Sequence, residues 1–298
     1  MSLAEHTGYR HGTHFHGWTS TEAYGLSGES NLDGIFSLGE IIQIAKALGL
    51  ETVTITNHSQ SERSTHVIDQ DSAHGRLIMA SLAEVIAYNQ TRNPDDPIAL
   101  SGVEANLLWL GGKPVLDVSN DILSQLDFVI ASIHKIPIEI RQDPHKVKEL
   151  YLLAAKHPHV SAIAHIDMYL DCPLTDQDWL EIFTAMAQNN VFFELNMKSP
   201  LKNVHLLELA IQAGVRIIIS PDLHRLIANT IDYQFIKQIK ESYRATNGNL
   251  CEQTKELWTY TNRLLSQDCQ IYQNYPATQF CLNGSNLAVR LEHAKPED

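Results

Sequence analysis

Short apolar, β-rich runs alternate with stripes of helical period through most of the chain. The first strand falls at about residues 8–14. Ile41, Ile44, Ala45 and Leu48 then form one apolar stripe, so the pattern predicts a helix over about 37–48. Ser37 and Glu40 stand at capping-box spacing at its start, and Gly49 ends it. The β-branched run 51–56 reads as the second strand. A helix over about 73–90 precedes a strand at 98–103. A hairpin-like insertion around Gly111-Gly112 and a helix near 119–126 lead into a strand at 128–133. Further strands are expected at 160–164, 191–193 and 215–219, with helices over 174–188 and 201–213 between them.

Seven βα-type units imply a parallel sheet with right-handed crossovers. Several strands are nearly continuous apolar runs, as expected when helices cover them. The expected fold is α/β, a TIM-like barrel over residues 1–228. Residues 229–298 read as a helical C-terminal extension packed on it, with helices at about 231–245 and 251–267. That extension could close the barrel, cover a site as a lid, or join copies in a homo-oligomer. The polar stretch Ser59–Ser72 reads as a mobile loop near the strand ends.

The chain's 298 residues suit such a barrel in one piece. No apolar run approaches a membrane span, and the N-terminus lacks the features of a signal peptide, so a cytoplasmic protein is expected. The four cysteines show no Cys-x-x-Cys spacing and read as reduced thiols. A net charge of −13 argues against extended nucleic-acid binding, which needs clustered Lys and Arg. It leaves room for a small phosphorylated substrate, because bound metal would dominate the local field.

Chemistry enters with the 15 histidines. His14 and His16 follow the first strand and His58 the second. Glu104 ends the third, His134 the fourth and His165 the fifth. Glu194 and Asn196 end the sixth, and Asp222 and His224 follow the seventh. In a parallel barrel all strand C-termini open on one face, so these residues converge. Imidazole and carboxylate are ligands for Zn²⁺, Mn²⁺ or Fe²⁺, and these donors exceed the needs of one tetrahedral ion. A multinuclear site follows. His6, His11, His66, His74, His145, His157, His159, His205 and His293 read as surface residues of helices, loops and termini.

The order of these motifs resembles the PHP (polymerase and histidinol phosphatase) superfamily over about residues 8–226. Thr13-His-Phe-His16 is similar to its first motif and Thr-Ile-Thr-Asn-His58 to its second. Ser-Gly-Val-Glu104 supplies a bridging glutamate, and Leu-Asp-Phe-Val-Ile-Ala-Ser-Ile-His134 is the most specific stretch. Ala-Ile-Ala-His165, Phe-Glu-Leu-Asn196 and Ile-Ser-Pro-Asp222-Leu-His224-Arg225 complete the series.

The resemblance implies a distorted (β/α)7 barrel holding up to three divalent ions (Zn, Mn or Fe). One ion falls to His14, His16, Glu104 and Asp222. Glu104 bridges to a second, held by His134 and His165. His58 and His224 take the third, with Glu22 as its further ligand and Asp33 as the rival. The implied activity is phosphomonoester hydrolysis on a small metabolite or nucleotide. Glu104 and Asp222 would position the ions that activate water, and Arg225 and Lys135 would grip phosphate. Two departures stand out: Asn57 replaces the usual Asp of the second motif, and Ile166 replaces the usual proline after His165. Other readings are a histidinol phosphatase or exonuclease, an amidohydrolase-type barrel with Lys135 as its lysine, and a non-catalytic metal-binding regulatory domain.

Overall fold

The structure is a computed structural model. It describes residues 11–28, 33–34, 36–47, 50–61, 65–196, 199, 201–203, 205–220 and 222–224. Arg225 and the expected C-terminal extension lie outside the described residues.

Seven parallel strands form the body in sequence order: β1 (His11–Phe15), β2 (Thr52–His58), β3 (Ile98–Leu110), β5 (Phe128–Ser132), β6 (Ala162–Ile163), β7 (Phe192–Asn196) and β8 (Ile217–Ser220). A short β4 (Lys113–Leu116) pairs antiparallel with the extended end of β3. Gly111 and Gly112 turn this hairpin with φ of 58° and 81°, the left-handed pair a two-residue loop requires. The sheet curls until its ends meet. Phe15 pairs in parallel with Leu223, through His16 N to Leu223 O at 2.9 Å and Leu223 N to His14 O at 3.0 Å. The expected TIM-like barrel is therefore present, nearly closed, with one bridge sealing β1 to the segment after β8.

Helices cover the outside because their stripes match those of the sequence. Ser37 and Glu40 make the reciprocal capping bonds of α2 (Leu38–Ala47), Ser37 N to Glu40 Oε2 and Glu40 N to Ser37 Oγ. In α6 (Pro144–Lys156), Val147, Leu150, Tyr151 and Ala154 are buried at helical spacing. Thr175 and Asp178 box the start of α7 (Asp176–Gln188). The others are α1 (Trp18–Leu26), α3 (Ala73–Thr91), α4 (Asn120–Leu123), α5 (Ile138–Arg141) and α8 (His205–Gln212). Among the described residues no helix is long and apolar enough to cross a membrane.

Leu100, Phe128, Ile130, Ala162, Ala164, Phe192 and Ile218, from five neighbouring strands or their ends, form one buried apolar cluster. Side chains alternate along a strand, so Leu100 shares a face with Glu104, and Phe192 shares one with Glu194. Each of these strands is thus apolar at one end and polar at the other, and the polar ends form the site. Gly102 sits between the two zones. A Cβ there would meet Phe128 O at 2.5 Å and Thr56 Cγ2 at 2.9 Å. We expect Gly102→Ala to force β3 away from β5 and cost about 1–3 kcal/mol, as overpacked cores do. Urea unfolding checks this; an unchanged midpoint would contradict the packing.

Two expectations are revised. The described part of the polar stretch after β2 is anchored at residue 68, since Ile68 is fully buried and pairs with Val118. His74 is buried rather than on the surface, its Nε2 between Ser27 Oγ and Ala23 O.

Candidate metal centre

The strand ends bring eight donors into one buried cluster. Glu104 is its centre, facing five imidazoles. Its Oε2 lies 3.1 Å from His14 Nε2, 3.4 Å from His16 Nε2 and 3.2 Å from His58 Nδ1. Its Oε1 lies 3.2 Å from His134 Nε2 and 2.9 Å from His165 Nε2. Asp222 Oδ1 stands 3.4 Å from His16 Nε2, 3.7 Å from His14 Nε2 and 3.0 Å from His224 Nδ1.

Glu22, expected as a ligand, is not brought there. On α1 the buried residues are Ser20, Ala23 and Tyr24, and Glu22 lies about 200° around the helix from Ser20, on the exposed side. Asp33 occupies that place instead, with Oδ1 3.3 Å from His224 Nε2 and Oδ2 3.5 Å from His58 Nε2. Lys135 is exposed beside His134.

Three groups of donors among the described residues could each hold an ion: His16, Asp33, His58 and His224; His14, His16 and Glu104; and His58, Glu104 and His134. The donor spacing suits this. Ligands bound to one zinc at about 2.0–2.1 Å in tetrahedral array stand roughly 3.3 Å apart. His16 Nε2, His58 Nδ1 and Asp33 Oδ2 are buried with no hydrogen bond among the described residues. Such atoms are costly unless something coordinates them.

Supporting residues fix which nitrogen faces inward. Glu194, placed by the sequence at a strand end but given no role, accepts from His14 Nδ1 at 2.5 Å and from the His165 backbone N–H at 3.0 Å. Ser20 Oγ takes His16 Nδ1 at 3.1 Å and the His58 N–H at 2.9 Å. Both arrangements leave Nε2 pointing at the carboxylates. Asn57 Oδ1 accepts from Gly17 N at 2.6 Å and Ser20 Oγ at 3.3 Å, so the amide meets the acceptor role there without an Asp. His14, His165 and Asp222 have φ of 66°, 30° and 47°. Left-handed backbone on such residues costs on the order of 1–3 kcal/mol each and collects at functional sites.

Electrostatics divides the imidazoles. Burial opposes charge on His14, but Glu194, Asp222 and Glu104 outweigh it and hold its pKa well above the ordinary value. Burial is likewise outweighed at His224, pushed up to about 9 by Asp222 and Asp33, and at His165, raised by Glu104. Burial carries His58 down to about 4 against the pull of Asp33 and Glu104. His16 falls well below its ordinary value through burial and its neighbours His224 and His58. Glu104 is held well below the usual carboxylate range, burial being overcome by His58, His14 and His134.

Imidazole must be neutral to ligate, so an ion held by this cluster would compete with protons at His14 and His224. We expect ion uptake by the metal-free protein at pH 7 to release protons, with less released as pH rises through about 9 and His224 is already neutral. Calorimetry in buffers of different ionisation enthalpy reads this directly. Identical apparent enthalpies in all buffers would contradict it.

No family model matches the chain. It is 27% identical over 199 residues to the DNA polymerase/3′-5′ exonuclease PolX of Bacillus subtilis (strain 168), a match covering 65% of this chain and 32% of the polymerase. The chain thus matches about a third of that protein. A probable phosphatase of Caldicellulosiruptor bescii is 27% identical over 222 residues, 71% of this chain and 78% of the relative. The crystal structure of histidinol phosphate phosphatase from Lactococcus lactis, complexed with zinc, L-histidinol and phosphate, aligns with a TM-score of 0.46 and 17% identity over 78% of this chain and 91% of that one.

Proposed function

We propose that this chain belongs to the PHP superfamily, which the order of its motifs resembles, and hydrolyses phosphomonoesters of small metabolites or nucleotides. The observation that carries the reading is the buried Glu104, both of whose oxygens face imidazoles. Divalent ions held there would act as Lewis acids, offsetting charge on the phosphoryl oxygens and lowering the pKa of water toward neutrality.

The chain's own residues prepare the site for that chemistry. Glu104 joins the His14–His16–His58 side to the His134–His165 side. Asp222 and His224 complete the first of these, and Asp33 adds a carboxylate to the His58–His224 edge. Up to three ions, of Zn, Mn or Fe, fit this division of donors. Glu194 and Ser20 hold His14 and His16 in one orientation, so little rearrangement is needed as substrate arrives. Exposed Lys135 would supply positive charge to the phosphate. In the net reaction water adds to phosphorus, the P–O ester bond breaks, and an alcohol and inorganic phosphate leave.

The test strips the purified chain with a chelator and reloads it with Zn²⁺, Mn²⁺ or Fe²⁺. Phosphate release is then followed from sugar phosphates, nucleotides, histidinol phosphate and p-nitrophenyl phosphate. The expected result is metal-dependent release from monoesters. Turnover of cyclic amides with no phosphoester cleaved would favour the amidohydrolase reading. Nucleotide release from single strands alone would favour an exonuclease.

A further inference from the structure

We propose that Asp117 is a positioning residue that holds the His58 and His134 sides of the cluster in register, acting through Ser59 and Asn106; the inference rests on the metal reading above. Asp117 follows β4, is fully buried and is absent from the donor groups themselves. Its Oδ2 accepts from Asn106 Nδ2 at 2.6 Å, Ser59 Oγ at 2.7 Å and Gln60 Nε2 at 3.1 Å. Its Oδ1 accepts from the Asn106 backbone N–H at 2.8 Å. Among the described residues the contacts shown for this carboxylate come from neutral donors, and burial pushes its pKa up while those bonds pull it down.

A buried acid without a counter-charge is an expensive way to close a hairpin. It is explicable as a group that only accepts, taking four donors at once. An amide would turn its NH₂ toward at least one of them. Both routes from this carboxylate lead to donors. Ser59 directly follows His58 at the end of β2, and its N–H bonds Glu104 O at 3.0 Å. Asn106, gripped at both its backbone and its amide, presents Oδ1 to His134 Nδ1 at 2.6 Å. Ser132 Oγ is a longer second contact of that nitrogen at 3.3 Å. Committing His134 Nδ1 in this way turns Nε2 toward Glu104. The His134 ring therefore takes its orientation from a residue that reaches no ion itself.

Cobalt titration of the metal-freed protein, read by visible absorbance and chelator competition, tests this in wild type, Asp117→Asn, Asn106→Ala and the double variant. Circular dichroism and thermal unfolding report whether each is folded. Each single variant is expected to weaken cobalt uptake roughly 10–100-fold and alter the absorption band, the loss typical of supporting residues. The double variant should lose less than the two single losses combined, because both substitutions break the shared Asn106 route to His134. Wild-type affinity in either single variant, or losses that simply add, would overturn the proposal. Should Asp117→Asn not fold, Asn106→Ala decides: cobalt bound as in wild type overturns it, and weakened binding with an altered band supports it. Wild type that takes up cobalt yet cleaves no phosphomonoester refutes the functional reading alone. Wild type that takes up no cobalt refutes both.

Discussion

Glu104→Gln is expected to abolish metal-dependent phosphoester hydrolysis, with kcat/KM falling by about 10³-fold or more. The substitution keeps size and shape but replaces one oxygen with an NH₂ that cannot ligate. It also removes a negative charge from among five imidazoles, at a residue that is 1% exposed. Loss of several kcal/mol of charge stabilisation at the ions corresponds to ~10³-fold in rate. Steady-state kinetics with metal analysis of the same sample reads the effect. Turnover within a few-fold of wild type, with full metal content, would contradict Glu104 as the bridge.

The second large effect is expected at a residue that faces the imidazoles from behind. Glu194 accepts from His14 Nδ1, the His165 N–H, Asn196 Nδ2 and Ser220 Oγ. Glu194→Gln must turn its NH₂ toward some of these donors, freeing His14 to rotate or change tautomer. Loss of about 10–100-fold in ion affinity or activity is expected. The signature differs from that of Glu104, because excess ion should recover much of the lost rate when the ligands themselves are intact. Activity titrated against Mn²⁺ distinguishes the two. An unchanged titration curve would remove Glu194 from the machinery.

Much of this was legible in the sequence because strand ends carry their own labels. His58, Glu104, His134 and Asp222 each stand where an apolar run stops, and a parallel barrel allows only one place for such residues to meet. The choice between Glu22 and Asp33 was not legible. Both are acids in a polar segment after His-x-His, and only the helix formed by Trp18–Leu26 turns the first outward. That short polar helix has no side-chain N-cap to announce it. Strand lengths also depended on tertiary geometry. The expected run over 160–164 contracts to Ala162–Ile163, just before His165 leaves the extended region at φ 30°. Asp117 carries no local signal of its role, since nothing near it in the sequence shows four donors converging from β3 and the end of β2.

The bridge between Phe15 and Leu223 carries a consequence for how the protein comes into being. It unites the first strand of the barrel with a residue flanked by Asp222 and His224. Contacts between such distant stretches form late in folding, because the loop they close is long. Until the seam shuts, His14 and His16 have neither Asp222 nor His224 beside them, so a chain emerging from the ribosome holds only part of the cluster that could bind ions. An ion that prefers the completed set favours the sealed barrel in proportion to the logarithm of its concentration. Metal supply would then govern how long the barrel stays shut as well as what it can catalyse.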